Sequence, residues 1–496
     1  MRELKEELTR RRFLGTGLGT GAGMVGLMAF GAREAKAVSP KQEWHRETDV
    51  LIIGTGAAGL AAAVEAKRAG ADVLVVEKLP FLGGNTGIST AGMTGVQSKL
   101  QQESGIESWT VEEFAEWTQM GGDNKNDPVL VEVFARRSGE ALDFLRELGA
   151  TFPSVTHRSA SVTEKWGSGL IEVLYKATTG LGVTVMTDTE VTSLIANVSV
   201  LPKKVLGVQL KDHRGAVRNV RAAKGVILAT GGFGGNPEMV LRYDPSLKGY
   251  TSTNIREASS GECMCMAMSL GADTSGINYV QVHPTVHAFG GKRTLITEGI
   301  RTAGAILVNA GGQRFVDELQ RRDVVSQAIL KQRGGYAFLL LGRAVTHEKN
   351  KDYIDEGLVV QGDTLEEVAR KTGIDPSGLR ETVDRYNSYV DAQDDGDFQR
   401  GWYRELGQRQ VLTARIDQGP FFTIQVRPGI HHCCGGLRIN ERAQVMDALP
   451  GKVIIEHLYA AGEVAGGTHG TNRMGGSAIT ECIVFGRIAG MNAAGA

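Results

Sequence analysis

Cysteine is scarce in this chain of 496 residues, with Cys263, Cys265, Cys433, Cys434 and Cys482 making up the whole supply. None stands in a CxxCH arrangement, which excludes a c-type haem attached within the chain, and no CxxC cluster has the spacing of an iron–sulfur or zinc centre. An odd count with two adjacent members also argues against a full disulfide framework, so buried small side chains are the expected role. An excess of one charge is lacking too. Lys plus Arg (55) and Asp plus Glu (56) leave a formal net charge of -1, without the basic surplus of a nucleic-acid-binding or polybasic membrane-surface protein. Internal repeats, heptad arrays and low-complexity tracts are missing, and after Phe30 no apolar run is long enough to span a bilayer.

What the chain has in quantity is glycine. Its 66 glycines are about twice the usual share of roughly 7%, which suits a fold built from close backbone approaches. The length predicts two domains or one interrupted domain. At the start, Thr9, Arg10, Arg11, Phe13 and Leu14 precede a glycine-broken apolar run to Phe30 and a small-residue site, Ala35-Lys36-Ala37. Residues 1–37 read as a twin-arginine export signal rather than a membrane anchor, because Gly15, Gly17, Gly19, Gly21, Gly23 and Gly26 leave the run only moderately apolar. That route carries proteins already folded around a cofactor. It predicts a periplasmic or otherwise extracytoplasmic location.

The most informative segment is DVLIIGTGAAG at 49–59 followed by VLVVE ending at Glu77. An apolar strand runs into Gly54, Gly56 and Gly59, and a helix-forming AAAVEAKRAG follows, so backbone amides and a helix N-terminus can approach a pyrophosphate. Glu77 stands 18 residues past Gly59 at the end of a second apolar strand, where a carboxylate can accept hydrogen bonds from ribose hydroxyls. Next comes a loop with Gly83, Gly84, Asn85, Thr86, Gly87 and Gly92, too tight for bulky side chains and suited to lying against an extended cofactor. This points to FAD. Two further strand-to-glycine turns, KGVILATGGFGGN at 224–236 and LYAAGEVAGG at 458–467, agree.

The expected fold class is α/β: a Rossmann-like doubly wound FAD-binding domain at 38–277 and 431–496, interrupted by an α+β capping domain at 278–430. Helices are expected at 111–120, 128–149 and 169–180, the last with Leu170, Val173 and Leu174 on one face. Asp375-Pro376 should open another, and the polar stretch 392–409 should be a surface loop.

Six ordered motifs carry a resemblance over nearly the whole chain after residue 37: the FAD unit, VQVHPT at 280–285, TEGIRTAGAILVN at 297–309, RFVDELQRRD at 314–323, RPGIHHCCGG at 427–436 and AAGEVAGGTHGTNRMGGSAI at 460–479. They are similar to the fumarate reductase/succinate dehydrogenase flavoprotein family, and most like its soluble periplasmic flavocytochrome c members, without their haem domain. The resemblance implies that His431 and Arg473 hold one carboxylate of a dicarboxylate, while His283, Thr297 and Glu298 hold and polarise the other. Arg322 would deliver a proton to the alkene after hydride arrives from the flavin, and Glu298 with Arg301 would reload it. FAD contacts are implied at Gly54, Gly56, Ala58, Gly59, Glu77, Asn85, Thr86, Ala91, Gly92, Val191, Thr230, Gly231, Glu262, Glu463, Ser477, Ala478 and Ile479. No metal is implied. Membrane-bound relatives bond FAD to a histidine near the glycine-rich loop; GGNTGISTAGM has none, so the FAD should be non-covalent.

Physical chemistry supports the set independently. Reducing a C=C bond by hydride builds negative charge, which fixed cations around a carboxylate can stabilise. Arginine holds its proton above about pH 12, so as an acid it needs an immediate source of replacement, here Glu298. Arginines in an RRD run are usually solvated or salt-bridged, and His283, His432, His457 and His469 each have a plain structural reading. The chain also departs from the family pattern. Leu295 replaces a methionine, the loop from His283 to Glu298 is two residues longer and brings in His287, Lys292 and Arg293, HCCGG replaces HTMGG, Glu262 replaces an aspartate, and SASVTEKWGSG at 159–169 lacks the usual Arg and His-Arg.

Fumarate to succinate is therefore the first expectation, with urocanate, acrylate or aryl-acrylate as alternatives on the same framework. A flavin dehydrogenase or oxidase, or a non-catalytic electron-transfer flavoprotein, would leave the Arg322, Glu298 and Arg301 set unexplained. The one strong dinucleotide fingerprint serves FAD, so electrons should come from a separate donor, a c-type cytochrome or a quinol-linked membrane complex.

Overall fold

The computed structural model describes residues 34–38, 42–163, 165–344, 350–401 and 411–495. The Arg10-Arg11 motif and its apolar run lie outside the described residues. The backbone separates into two compact units: one runs to Ser246, resumes over Ile255–Val280 and returns from His432, and the other comprises Leu247–Asn254 and Gln281–His431.

The first unit is built on a nine-stranded sheet. Its centre is parallel, with Ile454–Ala460, Val217–Leu228, Arg46–Ile53, Val73–Val76 and Thr184–Met186 side by side. Val50, Leu51, Ile52, Leu74, Val75, Val226 and Ile227 are all buried, the continuous apolar runs expected of strands covered on both faces. Thr189–Asn197 and Lys204–Asp212 extend the sheet in antiparallel fashion. The edge beyond them corrects the reading of residues 1–37 as lying wholly outside the fold. Lys36–Ala37 form a short strand paired in parallel with Ile195 and Ala196, because the edge of Thr189–Asn197 still has backbone groups to satisfy.

Helix Ala57–Arg68 crosses this sheet from the end of Arg46–Ile53 and packs on Ser477–Ala494. The helices come very close: a Cβ on Gly486 would fall 2.5 Å from the Ala58 carbonyl oxygen, and one on Gly490 would fall 2.3 Å from that of Ala62. At the turn into the first helix, Gly54 has φ +105°, a conformation that side chains resist. Other helices start on local signals. Thr110 and Glu113 form a capping box before Val111–Gly121, and Asp127 caps Pro128–Glu147. The helix expected at 169–180 spans Trp166–Gly180, and its buried side carries Leu170, Ile171, Leu174 and Thr178, with Val173 only half-buried.

The second unit has a seven-stranded sheet in which Val280–His287, Phe421–Cys433, Ala337–Leu341 and Ile306–Val308 follow one another, with Thr294–Leu295 on the outer side of Val280–His287. Alternation splits its side chains between two cores. Leu307, Leu339 and Leu341 lie in one cluster, and Ile306, Val308, Phe338 and Leu340 in the other. Asp375 caps Pro376–Ala392, which covers the second cluster.

Two expectations need correction here. Residues 247–254 join the second unit although the reading assigned them to the first domain, because Thr251 and Ser252 pair in parallel with Gly429 and Ile430. The stretch 392–409 is not simply a surface loop: Asp395 and Arg400 are fully buried, held by ion pairs to Arg314 and Glu318. Residues 402–410 lie outside the described residues.

Candidate active site

In the first unit a cavity of about 900 Å³, its solvent mouth included, opens over the start of helix Ala57–Arg68. Gly56 is the N-cap and supplies no side-chain bond to the first amides, so those amides, together with the helix dipole, favour an anion. The Ala57 amide donates to Thr86 Oγ1 at 3.2 Å. At the end of the neighbouring strand, Glu77 Oε2 accepts from the Thr55 amide at 3.1 Å and hydroxyl at 2.7 Å, and Oε1 accepts from the Leu79 amide at 3.0 Å. The carboxylate is thereby locked at the cavity wall.

Of the residues expected to touch FAD, Gly54, Gly56, Ala58, Glu77, Asn85, Thr86, Val191, Thr230, Gly231, Glu262 and Glu463 line this cavity. Gly59, Ala91, Gly92, Ser477, Ala478 and Ile479 do not. Gly59 serves packing instead, since a Cβ there would sit 2.0 Å from the Gly54 carbonyl oxygen. Ser477 faces Thr94, hydroxyl to hydroxyl at 3.1 Å. Sequence reasoning missed Thr55, Lys78 and Ser259. Ser259 accepts from Asn85 Nδ2 at 2.6 Å, and Lys78 Nζ reaches Ser260 Oγ at 2.7 Å and Glu262 at 3.3 Å. The Ala258-Ser259-Ser260-Gly261 turn was a visible signal of the kind used elsewhere in the chain. An uncapped helix start, glycines at the closest approaches and a fixed carboxylate at the strand end fit the pyrophosphate and ribose of FAD. Histidine is absent from the described lining.

At the cavity wall, the half-buried Glu463 carboxyl accepts from the Cys433 amide at 2.8 Å, and His432 Nδ1 stands 3.6 Å from it. Burial raises the Glu463 carboxyl, against the Cys433 N–H and the Arg473 charge. Burial, assisted by Arg473, pushes His469 down to about 3, so that its ring stays neutral. Arg473 belongs to this unit and donates through Nη1 to the Met474 carbonyl at 3.0 Å.

The second unit gathers Arg322, Glu298, Arg301, His283, Thr297 and His431. Val280–His287 puts Gln281 and His283 two residues apart on one face. Thr297 is the N-cap of the short helix Glu298–Thr302, and Arg322 is the first residue of Arg322–Leu330. Arg322 donates from Nε to Glu298 Oε1 at 2.8 Å and from Nη2 to Glu298 Oε2 at 2.9 Å. Its Nη1 donates to Gln281 Oε1 at 2.6 Å. Arg301 Nη2 lies 3.5 Å from Glu298 Oε1. Burial alone would raise the Glu298 carboxyl, but Arg322, then His283 and Arg301, outweigh it and hold the carboxyl far below the usual range.

The imidazoles of His283 and His431 meet edge to face, 5.2 Å between centroids. His283 Nδ1 accepts from the Thr285 amide at 3.3 Å, while His431 Nδ1 is 3.1 Å from Thr253 Oγ1. Thr253 comes from the 247–254 segment. Tyr353 was also missed: its hydroxyl accepts from the Thr297 amide and donates to the Leu295 carbonyl, both at 3.1 Å. Gln281 lies within VQVHPT at 280–285, but nothing in the sequence marks Tyr353. The cluster can hold an arginine rigidly, keep one carboxylate ionised against it, and offer imidazoles and a hydroxyl for an anionic substrate.

A family model described as FAD binding domain matches residues 49–479. A probable fumarate reductase of Shewanella frigidimarina is 39% identical over 461 residues, covering 90% of this chain and 75% of the relative. A urocanate reductase of Eggerthella lenta is 32% identical over 532 residues, covering 99% and 84%. Among solved structures, the open conformation of a flavocytochrome c3 fumarate reductase is similar with a TM-score of 0.76 and 36% identity, over 96% of this chain and 81% of that one.

Proposed function

Because the chain belongs to the fumarate reductase family of FAD-dependent flavoproteins, oxidoreductases acting on CH–CH groups, we propose that it reduces the C=C bond of an alkene carboxylate, with fumarate to succinate as the first choice. The observation that carries this reading is the arginine held at both ends, by Glu298 through two bonds and by Gln281 through a third. A surface salt bridge does not need such a mount. A proton donor aimed at one carbon does.

Bound, reduced FAD supplies the hydride. His283 and Thr297 hold and polarise one carboxylate of the substrate, with Glu298 beside them, and His431 and Arg473 are assigned the other. Fixed donors of this kind favour the negative charge that develops on the alkene, without reorganisation at the moment of reaction. Arg322 then protonates the carbon next to the one that received hydride. Glu298, kept ionised by its arginines, takes a proton from Arg301 and passes it to Arg322, and Arg301 regains its proton from bulk water before the next turnover. The electrons would come from a separate c-type cytochrome or quinol-linked membrane complex, and the Arg10-Arg11 motif supports an extracytoplasmic place of work.

Urocanate is the second candidate, because the urocanate reductase relative matches 99% of this chain and the lengthened loop adds His287. The test is anaerobic. The FAD-loaded protein is supplied with a reduced viologen, and dye oxidation is followed with fumarate, urocanate, acrylate, methacrylate and cinnamates. Rapid oxidation by fumarate supports the first choice and rapid oxidation by urocanate the second. Silence across the panel, with FAD bound and reducible, removes the reading.

A further inference from the structure

Arg301 is 1% exposed, so water does not hold its side chain. Its Nη1 donates to the Glu318 main-chain carbonyl, and Nε and Nη2 have no hydrogen-bond partner among the described residues. A guanidinium with so few bonds of its own takes its position from what surrounds it.

Around it lies a lattice of buried ions that the reaction outlined above does not use. Glu318 accepts from Arg314 Nε and Nη2, both at 2.9 Å, and from the Leu307 amide at 3.2 Å. Arg314 makes a second paired contact with Asp395 at 3.1 and 2.9 Å, and Asp395 accepts the Arg400 amide at 3.1 Å. Arg400 then returns to Arg301. Its Nη2 donates to the Arg301 carbonyl and, at 3.2 Å, to that of Ala305. Its Nη1 donates to the Tyr386 hydroxyl at 2.8 Å, and its Nε lies 3.7 Å from Glu318 Oε2.

The Glu318 main-chain carbonyl therefore receives the Arg301 side chain, while the Glu318 carboxylate acts on its position only by holding Arg314 and standing 3.7 Å from Arg400 Nε. Arg400 fastens the Arg301 main chain at the end of the short helix that also carries Glu298. Buried ion sets are poor sources of stability compared with apolar packing of the same volume. What this one holds in place is the better explanation of its presence.

Resting on the proton-transfer reading above, we propose that Glu318 and Arg400 are positioning residues for Arg301, fixing its guanidinium where it can return a proton through Glu298 to Arg322. Both act through Arg301 rather than on substrate. The electrostatics agree in direction. Burial lowers the hold of Arg301 on its proton against Glu298, and the charges of Arg322 and Arg400 add to burial while Glu318 opposes it.

The first test needs no substrate. Full-length FAD-loaded protein is labelled with ¹⁵N-arginine, the Arg301 Nε signal is assigned by its loss in Arg301→Lys, and its solvent exchange is measured in Arg400→Lys, Glu318→Gln and Tyr386→Phe. Exchange should be slow in the parent and clearly faster in Arg400→Lys and Glu318→Gln. Tyr386→Phe keeps every charge and should show a smaller acceleration, which leaves a readable variant if the other two do not fold. Unchanged exchange in the folded variants overturns the proposal. In turnover with fumarate, Arg400→Lys should lower kcat by up to about a hundredfold, the scale of a 1 Å misplacement, with a larger solvent isotope effect and little change in KM. A fall in kcat with the isotope effect unchanged marks the lattice as merely structural and also overturns the proposal. If the parent reduces no alkene of the panel, the functional reading fails, while the exchange measurement still decides the positioning.

Discussion

Glu298 holds Arg322 with both carboxylate oxygens, at 2.8 Å to Nε and 2.9 Å to Nη2. Only a planar fork can make two parallel bonds of this kind. Arg322→Lys keeps the charge and loses the fork, so alkene reduction should fall by about 10²- to 10⁴-fold, the usual contribution of a placed acid. FAD should remain bound, because Arg322 belongs to the second unit and the cofactor cavity to the first. Viologen-linked turnover beside the visible flavin spectrum checks both halves. Unchanged turnover would remove Arg322 from the chemistry.

Gly59 controls whether helix Ala57–Arg68 can start where it does. A Cβ there meets the Gly54 carbonyl at 2.0 Å and Ala229 Cβ at 3.3 Å, and neither the carbonyl nor the strand under Ala229 can give way cheaply. Gly59→Ala should cost about 1–3 kcal/mol of stability and weaken FAD binding by tilting the helix N-terminus away from the cavity. Thermal melting and the FAD content after gel filtration report on the two effects. Full FAD content at an unchanged melting temperature would mean that the close approach is not needed.

Glu481 is buried on Ser477–Ala494, and burial, with the Glu463 charge adding, pushes its carboxyl from the ordinary 4.5 up to about 8. A raised carboxyl means that the folded protein binds the proton more tightly than the unfolded chain does. Its contribution is favourable at low pH and is lost as pH rises from about 4.5 to about 8. Glu481→Gln mimics the protonated form. The variant should melt together with the parent near pH 4, and the gap in its favour should widen up to about pH 8 and then level off. Parallel melting curves across that range would show that Glu481 does not titrate there.

The parts of this protein that could be read from its sequence are those whose causes are local. Gly54, Gly56 and Glu77 declare the cofactor because strand, turn, helix and strand follow within thirty residues. Thr110 with Glu113, and Asp375 with Pro376, announce helix starts for the same reason. Asp395 and Arg400 could not be read in this way. Single charged residues in a polar stretch look solvated, and the partners that hold them inside are remote in sequence: Arg314, 81 residues from Asp395, and Glu318 for Arg400. Thr251 and Ser252 were misplaced likewise, since their strand partner begins 170 residues later at Phe421. At the site, Arg322 and Glu298 were visible through motifs. Gln281 passed unnoticed because an amide in a strand carries no chemical signature until the arginine it supports is seen.

Tyr353 is the residue whose effect on the site should be easiest to isolate. Its hydroxyl bridges the Leu295 carbonyl and the Thr297 amide at 3.1 Å each, closing the turn that delivers Thr297 and Glu298. The same turn is tied on its other side, where the Ile296 amide donates to the Thr285 carbonyl at 2.9 Å and the Thr285 hydroxyl donates to the Ile296 carbonyl at 2.8 Å. Tyr353→Phe leaves the ring in its buried place and removes one oxygen, so the fold should survive. What it leaves behind is a buried Thr297 amide without its acceptor, a loss of about 1–3 kcal/mol. The turn can relieve this by rotating Thr297 toward other partners. Since Thr297 is assigned to substrate and Arg322 to the proton, KM for the alkene should rise about tenfold or more while the solvent isotope effect on kcat stays as in the parent. An isotope effect that moves with unchanged KM would place Tyr353 on the proton side of the site instead.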